Sequence, residues 1–275
     1  MAQRSILITG CSSGIGYHCA HALKARGWRV FAACRRQPDC DRLAAEGFDS
    51  VRLDYANPGS IAAAADYVLA ATGGTLDALF NNGAYSHPGA VEDVAPEHLR
   101  ALLETNVVGW YDLTRRVLPA MRKQGHGRIV NCSSVLGFVA LRFTGAYSAS
   151  KFAVEGWSDS LRLELRGSGI HVSLLEPGPI RSRMIENARL RFMETVDARN
   201  SAFRPQYARE ASRLAGTNGS RFKLGPEALV APLVHALESR APRARYRVTL
   251  PSRVGAWLKW LLPTTMMDRV LARQR

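Results

Sequence analysis

The sequence predicts an α/β fold: a doubly wound parallel sheet of about seven strands with helices on both faces. Three observations predict it. Candidate strands near 5–9, 28–34, 50–53, 77–81, 128–133, 170–176 and 245–250 alternate with helical stretches, the order that gives parallel crossovers. The first run passes directly into a glycine-rich loop and then a helix. Over 275 residues, 47% hydrophobic content supplies enough apolar surface for a sizeable core. No internal repeat or low-complexity linker divides the chain. One domain is therefore expected over 1–275, with a core at 1–180, a covering segment at 181–224 and a basic C-terminal region at 225–275.

Taken in order, Ser5-Ile6-Leu7-Ile8-Thr9 reads as a buried parallel strand. Gly10-Cys11-Ser12-Ser13-Gly14-Ile15-Gly16 follows, then a helix from Tyr17 to Arg26 that Gly27 ends. Trp28 to Cys34 forms the second strand. Glycines in such a Rossmann-type unit allow a tight turn and let the backbone approach a diphosphate at the helix N-terminus.

Further along, Ser134 closes the run Arg128-Ile129-Val130-Asn131-Cys132-Ser133-Ser134, and Tyr147 and Lys151 lie four residues apart. A strand ending in hydroxyls places a donor at the carboxyl edge, where open α/β sheets bind ligands. Positions i and i+4 share a helix face, so the lysine can approach the tyrosine. A nearby positive charge is expected to lower the phenol pKa from about 10 and make it a proton donor and acceptor. Donor, tuner and polarising hydroxyl together suit interconversion of a carbonyl and an alcohol.

These motifs resemble the short-chain dehydrogenase/reductase family. Thr9-Gly10-Cys11-Ser12-Ser13-Gly14-Ile15-Gly16 matches its TGxxxGIG loop. Asn81-Asn82-Gly83-Ala84 resembles its NNAG motif with the last two residues exchanged. Asn106, Ser134 and Tyr147-x-x-x-Lys151 match the catalytic tetrad, and Pro177-Gly178 the PG after the sixth strand. The resemblance implies that Tyr147 is the general acid in reduction and the base in oxidation. It implies that Lys151 tunes Tyr147 and binds the nicotinamide ribose, that Ser134 bonds the substrate oxygen, and that Asn106 holds a backbone kink and a relay water. It also implies that Asp54 contacts adenine, that Ile180 and Ser182 contact the nicotinamide carboxamide, and that subunits pair as a homodimer or homotetramer through the helices of Asn106 and Tyr147. The block from Gly145 to Glu164, with the ending near Arg245-Tyr246, is most similar to 17β-hydroxysteroid and retinol dehydrogenases and bacterial aldehyde reductases.

Charge argues for the cofactor. An acid at the end of the second strand holds a 2′-hydroxyl, whereas a 2′-phosphate needs an arginine. Here the strand runs into Arg35-Arg36, with no carboxylate before Asp39. A guanidinium binds phosphate bidentately, so NADP(H) is favoured, with NAD(H) the alternative.

Residues 1–180 hold 18 Lys/Arg against 16 Asp/Glu, and residues 181–275 hold 19 against 7, so nearly all of the net charge of +14 lies at the C-terminal end. Nucleic acid is disfavoured because no recognition module accompanies the charge. Two readings of the tail Val254 to Leu262 stay open. Trp257 and Trp260, flanked by Arg253, Arg269, Arg273 and Arg275, could anchor on an anionic membrane, or pack on the domain or a second subunit. The lid 181–224, with Met184, Ile185, Leu190, Phe192, Met193, Phe203 and Tyr207, and the apolar loop Val135 to Phe143 favour a hydrophobic substrate. The odd set Cys11, Cys19, Cys34, Cys40 and Cys132 suits reduced thiols, with no metal site. No signal peptide and no apolar run of ~18–20 residues is present, so the cytoplasm is expected, with peripheral contact at the inner membrane face. Arginine-rich composition points to a bacterial source. The expected function is NADP(H)-dependent reduction of an apolar aldehyde or ketone. The alternatives are an oxidising alcohol, hydroxysteroid or retinol dehydrogenase and a non-catalytic cofactor-binding regulator.

Overall fold

The computed structural model describes residues 3–214 and 223–272. Seven strands, β1 (Ser5–Thr9), β2 (Arg29–Cys34), β3 (Asp49–Arg52), β4 (Ala78–Asn81), β5 (Gly127–Cys132), β6 (Ile170–Glu176) and β7 (Arg245–Arg247), form one sheet. Their order is β3-β2-β1-β4-β5-β6-β7, and every pairing is parallel. The central strands β1 and β4 are buried along their whole length. Helices on both faces exclude water from them, which is why they read as unbroken apolar runs.

The helices are α1 (Gly14–Ala25), α2 (Gln37–Ala45), α3 (Pro58–Ala71), α4 (Pro96–Leu103), α5 (Gly109–Gln124), α6 (Gly145–Glu164), α7 (Met184–Thr195), α8 (Arg204–Leu214), α9 (Val230–Glu238), α10 (Leu250–Leu261) and α11 (Thr264–Ala272). Strand order reverses between β1 and β4, so right-handed crossovers send α1 and α2 to one face and α3, α5 and α6 to the other. α9 packs on α1, and α3 on α5. Local chemistry sets the helix ends. Asn57 Oδ1 accepts from the Ser60 amide at 3.1 Å with Pro58 following it, and Gly125 ends α5 in the left-handed region at φ 72°.

Two boundaries differ from the sequence expectation by more than one residue. α1 starts at Gly14, inside the glycine loop. The last strand stops at Arg247 instead of 250, because Thr249 Oγ1 caps α10 by accepting from the Ser252 amide at 3.3 Å. The main core runs through both faces of the sheet. A separate apolar cluster joins Ala90, Phe143, Phe192, Val196, Phe203 and Tyr207. It holds the 181–224 segment against the loops that follow β4 and β5. Residues 215–222 of that segment, and Arg273 and Arg275, lie outside the described residues. Among the described residues, no helix is long and apolar enough to cross a membrane, and no His/Cys/Asp/Glu cluster could hold a metal.

Candidate active site

The glycine loop is built by close approach. A Cβ at Gly10 (φ +69°) would lie 2.6 Å from Gly83 Cα, and one at Gly16 would lie 2.4 Å from the Gly10 carbonyl oxygen. Neither position admits a side chain. From β4, the Asn82 and Gly83 amides donate to Thr9 Oγ1 at 2.9 and 3.0 Å, and Asn82 Nδ2 donates to the Thr9 carbonyl at 2.9 Å. Asn82 thus braces the loop. Behind it, Tyr55 OH bonds Thr9 Oγ1 and Asn81 Oδ1, and Asn81 Nδ2 donates to Asn131 Oδ1 at 2.9 Å. This buried polar chain ties β1, β4 and β5 together beneath the site.

A cavity of about 510 Å³ opens beside the loop, with Gly10, Ser12, Ser13, Arg35, Arg36, Asp54 and Gly83 in its wall. Ser13 precedes α1 in an extended conformation without a side-chain cap, and no acid occupies the first turn. The first amides of α1 are therefore available to an anion. Arg36 Nε pairs with Asp39 at 3.0 Å, and Arg35 and Arg36 are both exposed. Uncapped amides, hydroxyls and guanidinium groups around one cavity fit a dinucleotide phosphate. Ala84 also lies in the wall, so the exchanged NNGA order leaves the cavity open.

The lid adds groups that the sequence reading did not single out. Arg183, Asn187 and Arg191 reach the same cavity. Arg183 Nη2 donates to the Ser12 carbonyl at 3.2 Å, as Arg42 Nη2 does at 2.8 Å. The Arg191 guanidinium sits 4.2 Å from the Tyr85 ring centroid. The only sequence signal was the density of arginines after residue 180.

The predicted tetrad, with the 177–182 segment, stands outside that wall, at the carboxyl ends of β4, β5 and β6. Asn106 is buried in a π-helical turn, Glu104–Val108, between α4 and α5. Its Nδ2 donates to the Tyr85 carbonyl at 2.8 Å and to Ser150 Oγ at 3.1 Å, and its Oδ1 accepts from the Tyr85 amide at 3.1 Å. A π turn widens the helix locally, and Asn106 holds it to the loop after β4. Ser134 starts a short turn by accepting from the Leu136 amide at 3.1 Å, and its hydroxyl lies close enough to Tyr147 to bear on the phenol. Pro177 O accepts from the Val135 amide at 2.8 Å, fixing the Ser134 loop to the end of β6. Gly178 N donates to Thr249 Oγ1 at 3.1 Å. Ile180 bridges Leu224, closing the base of the lid, and Ser182 lies beside Gly14.

Tyr147 and Lys151 are both buried on α6. Here the structure corrects an expectation. Burial raises the Tyr147 phenol above its ordinary pKa; the neighbouring Cys132 adds to this, and the nearby Ser134 hydroxyl offsets only part of it. Burial also lowers Lys151 to about 8, opposed by Cys132 and Glu155. Lys151 Nζ donates to the Cys132 carbonyl at 2.8 Å and sits 4.4 Å from the Trp110 ring centroid, against 5.7 Å for Tyr147. Removal from water dominates at both groups, and it disfavours both charged forms. All five cysteines are free and buried. The Cys11 thiol pKa is pushed well up by burial, which makes it a packing residue of the loop.

One more cluster was not anticipated. Glu176 ends β6 and is buried between Arg245 (3.0 Å) and Arg247 (3.2 Å), with Arg245 also 3.2 Å from Glu155 on α6. Burial, reinforced by Glu155, raises Glu176 to about 7.

Residues 4–191 match the family model described as short chain dehydrogenase. The chain belongs to the short-chain dehydrogenase/reductase family. It is 42% identical over 269 residues to the uncharacterized oxidoreductase YbbO of Escherichia coli K12, covering 98% of this chain and 94% of that protein. It is 34% identical over 284 residues to rat 17-beta-hydroxysteroid dehydrogenase type 6, covering 99% and 89%. A structure of actinorhodin polyketide ketoreductase with NADPH shares 27% identity at a TM-score of 0.74, covering 91% and 97% of the two chains. A Burkholderia phymatum member in complex with NAD superposes at a TM-score of 0.79 with 24% identity, covering 99% and 96%. An NAD(P)-binding oxidoreductase of this family is thereby supported.

Proposed function

We propose that this protein is an NADP(H)-dependent carbonyl reductase for apolar aldehydes or ketones, with Tyr147 as proton donor. The observation that carries the reading is the burial of Ser134, Tyr147 and Lys151 together at the carboxyl end of β5, with Lys151 Nζ held by the Cys132 carbonyl, next to a cavity walled by Arg35 and Arg36. A bound nicotinamide cofactor supplies the hydride. The protein's own groups do the rest. Ser134 Oγ and Tyr147 OH hydrogen-bond the substrate oxygen, and Tyr147 passes its proton to that oxygen as negative charge develops. A phenol pKa raised by burial keeps the proton on Tyr147 until then. Lys151, easily deprotonated near pH 8, relays the replacement proton, and the Asn106 turn holds the path open.

Arg35 and Arg36 recognise the 2′-phosphate, and Arg183 steadies the glycine loop from the lid. The apolar cluster of Phe143, Phe192, Phe203 and Tyr207 excludes water and selects a hydrophobic substrate. A second reading, oxidation of a secondary alcohol by the same tetrad, draws on the likeness to 17-beta-hydroxysteroid dehydrogenase type 6. α5 and α6 expose Tyr111, Phe152 and Leu163, a face suited to pairing with a second copy.

The deciding experiment follows loss of reduced-nicotinamide absorbance with NADPH, and separately NADH, against aldehydes and ketones of increasing chain length. Faster turnover with NADPH, rising with length, is expected. Turnover only of alcohols with NAD would favour the second reading, and tight cofactor binding without any turnover would favour a regulator.

A further inference from the structure

α10 is amphipathic in the reverse of the usual sense. At about 100° per residue, Leu250, Val254, Trp257 and Leu261 form one stripe, and Ser252, Gly255 and Lys259 lie opposite. The small and polar side faces the protein. Ser252 is buried and donates to the Glu176 carbonyl at 2.7 Å. A Cβ on Gly255 would be 3.5 Å from both Val135 and Val139, and Lys259 Nζ lies 4.9 Å from the Phe152 ring centroid. The apolar stripe faces outward. Trp257 is 66% exposed and Trp260, on its edge, 79%. Met266 of α11 is exposed as well. An outward stripe this size marks a docking surface.

We infer that α10 docks the enzyme on an anionic lipid surface. Charge selects this occupant. Residues 239–275 carry nine Lys/Arg and one acid, Asp268. Arg245 and Arg247 are held by Glu155, Asp159 and Glu176, but Arg253, Lys259 and Arg269 stand exposed on α10 and α11 themselves. Basic groups beside tryptophan and aliphatic anchors are the composition of an interfacial helix. A second copy on the same stripe would set this basic surface against itself by two-fold symmetry. Because α10 rests on the loop that begins at Ser134, docking brings the catalytic mouth to the membrane. A substrate dissolved in lipid then enters without crossing water. This last consequence rests on the carbonyl-reductase reading; the docking itself does not.

The test is co-sedimentation of the full chain with phosphatidylserine/phosphatidylcholine vesicles and with pure phosphatidylcholine vesicles. Tryptophan emission and size-exclusion chromatography are followed in parallel. Expected are binding to the anionic vesicles only, a blue shift of emission and release by salt. Trp257→Ser/Trp260→Ser should lower the bound fraction about tenfold or more, with circular dichroism and turnover of a water-soluble aldehyde unchanged. Failure of the wild-type chain to bind anionic vesicles would overturn the inference, and so would undiminished binding by the double variant. A dimer that falls to monomer in that variant, without lipid binding by the wild type, would assign the face to a second copy and overturn it too. Sedimentation needs no turnover, so an inactive preparation that still binds would count against the catalytic reading alone.

Discussion

α6 and α10 both invert the usual arrangement of a surface helix, and they do so for different reasons. α6 turns Tyr147, Ser150, Lys151, Glu155 and Ser158 inward, while Phe152 and Leu163 remain exposed. Three of its buried polar groups are tied down: Lys151 to the Cys132 carbonyl, Ser150 to Asn106, and Ser158 to Asn131. α10 turns Ser252 and Gly255 inward and leaves its tryptophans in the open. Polarity directed inward costs stability unless every group is partnered, so in α6 it marks chemistry. Apolarity directed outward costs little in a folded monomer, so in α10 it marks a surface. The two helices flank the Ser134 loop, and together they define what reaches it.

The comparison is sharpened most by Tyr147→Phe. Loss of the proton donor should lower kcat by about 10²–10⁴-fold, while NADPH binding, read by fluorescence titration, stays as in the wild type. Unchanged turnover would remove Tyr147 from the mechanism. Arg35→Ala with Arg36→Ala should weaken NADPH binding by about 10–100-fold, as expected for charge-assisted contacts of roughly 1.5–3 kcal/mol, and leave NADH binding unaffected. Equal loss for both cofactors would return the pair to a solvated loop.

Lys151→Met tests the cost of inward polarity. The folded pKa of Lys151 is about 8, below its ordinary 10.5. Below pH 8 the fold holds a buried ammonium at full cost, and that cost is relieved as pH rises from 8 to 10.5. Lys151→Met should therefore be inactive yet more stable by about 1–2 kcal/mol at neutral pH, once the lost hydrogen bond is subtracted. Denaturant titrations should show the gap closing across that window. A variant less stable at pH 7 would show that its partners already compensate the buried charge. The smallest effect is expected in α10: Trp257→Ser/Trp260→Ser should shift unfolding free energy by no more than about 0.5 kcal/mol, because those rings do not hold the fold. A larger loss would move α10 to the structural side of the comparison.

The central strands were legible as apolar runs, because strands buried on both faces carry no compensating polarity. The edge strands β3 (Asp49-Ser50-Val51-Arg52) and β7 (Arg245-Tyr246-Arg247) are polar and were legible only from their place in the alternation of strand and helix. The glycine loop was legible because Gly10 and Gly16 leave no room for a Cβ. The tetrad was legible as spacing, and Tyr147 and Lys151 do share one buried face of α6. The protonation chemistry was not legible. A lysine four residues from a tyrosine lowers the phenol pKa only where its attraction for the phenolate exceeds the cost of stripping water from that phenolate, and the depth at which α6 is buried is set by Trp110 and the end of β5. Nor were Arg183 and Arg191 legible as cavity residues, since their reach depends on how Tyr207 and Phe203 seat the lid. The Glu176–Arg245–Glu155 cluster joins β6, β7 and α6 across long stretches of chain, and no local pattern announces it.

Periodicity, glycine spacing and composition are local properties, so the parallel sheet, the order of the motifs, the family and the concentration of positive charge at the C-terminal end can be read along the chain. Packing settles which side of α10 faces water, which arginines share a cavity, and that burial governs both Tyr147 and Lys151. Those outcomes depend on how much solvent each group loses, and solvent is removed by neighbours that are distant in the chain.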